Sequence, residues 1–109
     1  MSIHFHKLAI KEVRRETPEC VSVLFEIPEE IKKDFAFKQG QSLTMRTTLN
    51  GEEVRRTYSI CGSPLDEEWR VAIKNQEGGL FSGFANEHLK KGDVLEVMPP
   101  VGKFYTELD

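Results

Sequence analysis

Arg55-Arg56-Thr57-Tyr58-Ser59-Ile60 reads as a strand with unusual cargo. Alternation puts Val54, Arg56, Tyr58 and Ile60 on one face and sends Thr57 and Ser59 to the other. Arg56 is a permanent cation whose planar fork of donors suits phosphate oxygens. Tyr58 offers a flat ring two residues on, and Ser59 a short hydroxyl. Together they suit a ligand with a phosphate end and an aromatic end. A solvated edge strand with a core-packing tyrosine is the plainer reading of the same residues, and both stay open at this point.

The strand acquires a partner from the residues before it. Asn50-Gly51 is a strong two-residue hairpin signal, because both residues tolerate positive φ. Ser42 to Leu49 and Glu53 to Cys61 are therefore predicted to fold back on each other as strands three and four. Upstream, residues 3–15 alternate loosely as a first strand, and Glu16 to Glu19 form a turn. Cys20 to Ile27, rich in β-branched residues, is a second strand that Pro28 stops. Between these hairpins, Glu29 to Phe37 is a polar connection with Phe35 and Phe37 as core plugs. Downstream, Trp69 to Lys74 alternates as strand five. Leu80, Phe81, Phe84, Ala85, His88 and Leu89 recur at helical spacing, and Lys90-Lys91-Gly92 suits a helix C-terminus. Val94 to Met98 is a last strand, ended by Pro99-Pro100, with Val101 to Phe104 as a closing turn. Five or six short strands with tight turns and one helper helix predict an all-β domain, a small antiparallel barrel or sandwich.

Composition narrows the function classes. The 109 residues suit one domain, 1–109, with a single core. Hydrophobic residues at 39% and charged ones at 30% fit a globular chain and argue against disorder. Fifteen basic and eighteen acidic residues, net charge −3, give no general nucleic-acid surface. No apolar run reaches a membrane span, and the N-terminus lacks the apolar core of a signal peptide, so the cytoplasm is the default compartment. Lys32-Lys33 and Lys90-Lys91 read as solvated pairs. Cys20 and Cys61 are expected to be free and partly buried, and two thiols exclude an all-cysteine iron–sulfur cluster. His4 and His6 alternate, but no further ligand stands at metal spacing, so no metal site is expected.

The second informative stretch is Glu77-Gly78-Gly79-Leu80-Phe81-Ser82. Two glycines before a helix let backbone approach a ligand, and free N–H groups at a helix start attract anions. Ser82 can add a hydroxyl to the same oxygens. A flexible loop with an ordinary first-turn serine is the competing reading.

Taken in order, these segments resemble the FAD-binding barrel of the ferredoxin–NADP reductase superfamily over essentially the whole chain. Arg56-Thr57-Tyr58-Ser59 matches its R-x-Y-S signature, and Val71-Ala72-Ile73-Lys74 its following strand. Gly78-Gly79-Leu80-Phe81-Ser82 matches the G-G-x-x-S pyrophosphate loop, Lys91-Gly92-Asp93 the k-G-D turn, and Pro100-Val101-Gly102-Lys103-Phe104 the P-x-G-x-F segment. Phe37-Lys38-Gln39-Gly40-Gln41 is similar to the f-x-P-G-Q turn, with Gln39 where proline is usual. The tone is similar to the reductase components of bacterial oxygenases, the phenylacetyl-CoA epoxidase reductases among them.

The resemblance implies a six-stranded antiparallel Greek-key barrel with one short capping helix. It also implies FAD as cofactor, with Arg56 on the pyrophosphate, Tyr58 stacked on the isoalloxazine, and Ser59 near N5. Thr57 belongs to the same signature. Ile73 and Lys74 would offer backbone groups to the flavin's polar edge, while Gly78, Gly79, Leu80, Phe81 and Ser82 would cradle phosphate. The complete enzyme would take hydride from NAD(P)H and pass electrons to an iron–sulfur centre or an oxygenase. Its NAD(P)-binding domain and ferredoxin-like 2Fe-2S domain are not among these residues, and none of the residues here is expected to be catalytic. A flavin reductase releasing reduced flavin shares the same residues. A non-enzymatic barrel used as an interaction module is the rival from another class.

Overall fold

The computed structural model describes residues 5–101. The expected strand start at Ile3, the His4 half of the histidine pair, and the closing turn and tail beyond Val101 lie outside the described residues. Six strands form: β1 His6–Thr17, β2 Cys20–Phe25, β3 Ser42–Leu49, β4 Glu52–Ser59, β5 Arg70–Lys74 and β6 Val94–Val101. A 3-10 segment, Glu29–Phe35, links β2 to β3, and one α-helix, α1 Leu80–Glu87, precedes β6.

All pairings are antiparallel, in the order β4-β3-β6-β1-β2-β5. The last strand slots between β1 and β3, which is the Greek-key crossover. The sheet curls until an isolated bridge joins Ile60, just past β4, to Val71 on β5. That contact is reinforced by Cys61 N–H donating to the Arg70 carbonyl at 2.8 Å. Among the described residues no other ladder joins β4 to β5, so the barrel is closed at that bridge and open along the seam beyond it.

Local chemistry accounts for the register. Asn50 (φ 52°) and Gly51 (φ 81°) are both left-handed, and Leu49 pairs with Glu52 across them. This is the tight turn whose twist matches the flanking strands. Alternation then puts Leu43, Met45 and Val54 in the core with Val21 and Val23 of β2 and Val71 and Ile73 of β5. Phe35, Phe37 and Trp69 pack beside them, and the Trp69 indole N–H donates to the Phe35 carbonyl at 2.6 Å. Both phenylalanine plugs are thus where the spacing put them.

Four expectations are corrected. Pro99 and Pro100 do not end the last strand, which continues to Val101. Thr44 pairs with Met98 and Ser42 with Val101, so β6 carries one extra residue at the prolines. A bulge of this kind excuses residues that cannot donate to the ladder. The helix ends at Glu87, before the lysines, and Lys90-Lys91-Gly92-Asp93 is a separate turn with Gly92 at φ +94°. Of the lysines read as solvated, Lys33, Lys90 and Lys91 are exposed, whereas Lys32 is half-buried and pairs with Glu29 and Glu67. Both cysteines are free, Cys20 half-buried but Cys61 exposed, because it alternates with the buried Ile60.

The outer face of β1, β2 and β5 carries a polar network. Arg70 is buried, and donates to Glu12 at 2.5 Å and to the Ser22 hydroxyl at 2.8 Å. Ser22 donates in turn to Glu16, which also pairs with Arg14. Among the described residues no buried side-chain nitrogen or oxygen lacks a hydrogen-bond partner. No helix of the described residues is long and apolar enough to cross a membrane.

Candidate functional site

The open seam is where the two informative stretches meet. Arg56, Thr57 and Tyr58 of β4 line a cleft of about 240 Å³ with Gln76, Gly79 and Ser82. Beyond the Ile60–Val71 bridge the facing edges of β4 and β5 carry backbone groups with no strand opposite. Unpaired strand edges of this kind are ready hydrogen-bonding surfaces.

Arg56 is exposed although it shares its face with Val54, Tyr58 and Ile60, because the cleft opens there. Its guanidinium donates to the Arg55 carbonyl at 2.7 Å and makes no ion pair among the described residues. Arg14, Arg46, Arg55 and Arg70 all have carboxylate partners. Tyr58 is half-buried, its ring 6.0 Å from that of Phe81. Burial raises its phenol above the usual value and the charge of Arg56 opposes the shift, so the ring is neutral at physiological pH. Thr57 turns its hydroxyl to Thr44 across the ladder, at 2.8 Å. Ser59, opposite Ser42, is exposed at the end of β4.

The glycines have separate reasons. Gly78 has φ +76°, which side-chain-bearing residues rarely adopt. Gly79 has an ordinary φ, but a Cβ on it would stand 2.5 Å from Ser82 Oγ and 3.1 Å from the Gln76 carbonyl. As the residue before α1 it caps nothing with a side chain. The first intrahelical bond runs from Gly83 N–H to the Gly79 carbonyl, leaving the N–H groups of Leu80, Phe81 and Ser82 without helical acceptors.

The remaining expected residues divide. Phe81 is 1% exposed and belongs to the core. Leu80 is on the outer face of α1, where it lines a different cleft with Phe84 and His88. Ile73 is fully buried, and its carbonyl accepts from Asn86 Nδ2 at 3.0 Å. Lys74 is exposed at the end of β5, opposite Cys20. Ser82 is only 5% exposed: its hydroxyl accepts from Gln76 N–H at 3.0 Å and reaches the Gly79 carbonyl at 3.4 Å. The hydroxyl proton is therefore weakly committed, in a contact near the outer limit for a hydrogen bond. Sequence reading missed Gln76 and Asn86. Gln76 had only its place beside the glycines as a signal; Asn86 had its position four residues after Ser82, on the same helix face.

Residues 7–105 match the family model described as the oxidoreductase FAD-binding domain. The chain belongs to that family. As an FAD-binding domain it is 45% identical over 100 residues to a component of the 1,2-phenylacetyl-CoA epoxidase of Escherichia coli K12, covering 92% of this chain and 28% of that protein. It is 34% identical over 99 residues to the ferredoxin reductase component of 3-ketosteroid-9-alpha-monooxygenase from Rhodococcus rhodochrous, covering 89% of this chain and 28% of the relative. Among solved structures, a ferredoxin NADP+ reductase from Neisseria gonorrhoeae with bound FAD and NADP superposes at a TM-score of 0.76. That match has 19% identity and covers 91% of this chain and 39% of the other, so it speaks for the fold of the FAD-binding domain. The domain spans little more than a quarter of the length of these two curated relatives.

Proposed function

We propose that this FAD-binding domain serves an NAD(P)H-dependent oxidoreductase that delivers electrons to an iron–sulfur centre or an oxygenase component. The cleft at the β4–β5 seam is its flavin site. The observation that carries the reading is the meeting of an unpaired arginine, a half-buried tyrosine and an uncapped helix start in one cleft. A cation and free N–H groups suit phosphate; an aromatic face beside open strand edges suits a flat heterocycle with a polar rim.

FAD, when bound, supplies hydride acceptance and one-electron donation, which no side chain here can provide. The chain's own residues bind and orient. Arg56 neutralises the pyrophosphate together with the first-turn N–H groups of α1. Gly79 lets that backbone come close, and Ser82 can redirect its hydroxyl proton from the Gly79 carbonyl to a phosphate oxygen. Tyr58 presents its ring, held from behind by Phe81. Ser59 stands at the open end of β4, where a nicotinamide has access. The exposed edge of β5 at Lys74 offers backbone groups to the flavin rim, whereas the Ile73 side chain serves the core.

An NAD(P)-binding domain is the partner this reading needs, and the 45% identity to the epoxidase component favours an oxygenase as acceptor. The clamp is tested by Arg56→Ala. FAD affinity is expected to fall roughly 10–100-fold while riboflavin, which has no phosphate, is unaffected. Equal losses for both ligands would refute the assignment.

A further inference from the structure

Asn86 lies on the inward side of α1, 7% exposed, and its carboxamide is committed at both ends. Nδ2 donates to the Ile73 carbonyl at 3.0 Å and to the Ser82 carbonyl at 2.9 Å. Oδ1 accepts from Arg15 at 2.9 Å, and a second Arg15 nitrogen donates to the Asn86 carbonyl. One side chain thus joins β1, α1 and β5.

We propose that Asn86 and Arg15 are positioning residues for the phosphate end of the cleft. The inference rests on reading Gly79 to Ser82 as that end. An eight-residue helix has no stability of its own, so its orientation must be imposed by what it packs on. Phe81, Ala85 and Leu89 supply buried apolar area, which is non-directional and tolerates a small slide or roll. The two donor directions of Nδ2 do not, because each must meet its own carbonyl. The links continue to the lip of the cleft: Arg15 holds Asn86, Asn86 holds the Ser82 carbonyl, and Ser82 Oγ holds Gln76 N–H. Of these four residues only Gln76 and Ser82 line the cleft. Arg15 and Asn86 therefore act through them, fixing where the first-turn N–H groups stand relative to Arg56. The bond to Ile73 fixes the same helix against the strand whose edge borders the seam.

The test uses Asn86→Ala and the surface variant Arg15→Met in the 109-residue chain. FAD and riboflavin affinities are compared, and amide hydrogen exchange is followed at Gln76, Gly83 and, as a barrel reference, Val23. For Asn86→Ala, FAD is expected to bind roughly tenfold more weakly with riboflavin unchanged, and Gln76 and Gly83 exchange faster while Val23 does not. Arg15→Met shows the same pattern more weakly, and Arg15→Lys, which keeps a donor for Asn86, restores part of it. Equal losses for both flavins, uniformly faster exchange, or unchanged Gln76 and Gly83 would overturn the proposal. If Asn86→Ala does not fold, Arg15→Met decides. A wild-type chain that takes neither flavin would sink the flavin-site reading instead, and the exchange measurements would still judge the clamp.

Discussion

The Tyr58 ring lies 6.0 Å from the Phe81 ring at an interplanar angle of 34°, so the aromatic face of the cleft rests on a residue of the core. Strand β4 and helix α1 are coupled through this pair. The surface a flavin would meet is therefore as rigid as the packing behind it.

Phe81→Ala removes that backing. Emptying a fully buried phenylalanine site is expected to cost about 3–5 kcal/mol, read by urea unfolding followed by circular dichroism. Phe81→Leu, which keeps most of the volume, is expected to cost less and to leave the fold intact.

Tyr58→Leu tests the stacking face alone. Flavin bound to the wild-type chain should fluoresce weakly because the phenol lies against it. The variant is expected to bind FAD more weakly and to leave what is bound bright; unchanged quenching would remove Tyr58 from the site.

The two glycines separate strain from collision. Gly78→Ala meets nothing within 4 Å, and its cost is the left-handed backbone alone, about 1–2 kcal/mol. Gly79→Ala drives a methyl into Ser82 Oγ and is expected to cost about 1–3 kcal/mol and to weaken FAD binding as well. Thermal melts and FAD titrations of the two variants, side by side, check the contrast.

Acid stability follows from the paired carboxylates of the outer network and of the Arg46–Glu96 pair. The hydrogen bond from Arg70 lowers the Glu12 pKa below 4.5; that from Ser22, helped by Arg14, does the same for Glu16, and that from Arg46 for Glu96. A depressed carboxylate stabilises the fold above its unfolded-state pKa, and the contribution is lost as pH falls through the lower folded-state value. The melting temperature should therefore be level down to about pH 5 and decline below the ordinary carboxylate range. Glu12→Gln should show a shallower decline in pH-dependent melts.

Much of this was legible in the chain. Asn50-Gly51 set the β3–β4 register, and the alternation of Val54, Tyr58 and Ile60 put Arg56 and Tyr58 on one face. Gly-Gly before an apolar helix marked the other lip of the cleft. What stayed hidden depends on tertiary contact. Pro99-Pro100 read as a stop because a bulge is a property of two strands together. Leu80 and Phe81 read as part of the phosphate loop; that their side chains turn to the helix's outer face and to the core was not legible. The Asn86 clamp needs Arg15, seventy-one residues away in sequence, and no local pattern announces it.

The central claim, that the seam between β4 and β5 holds FAD, is tested most directly by the visible spectrum of the purified chain after incubation with FAD and desalting. A retained flavin band with quenched fluorescence, lost in Arg56→Ala, is the expected result. A wild-type chain that stays colourless would contradict it.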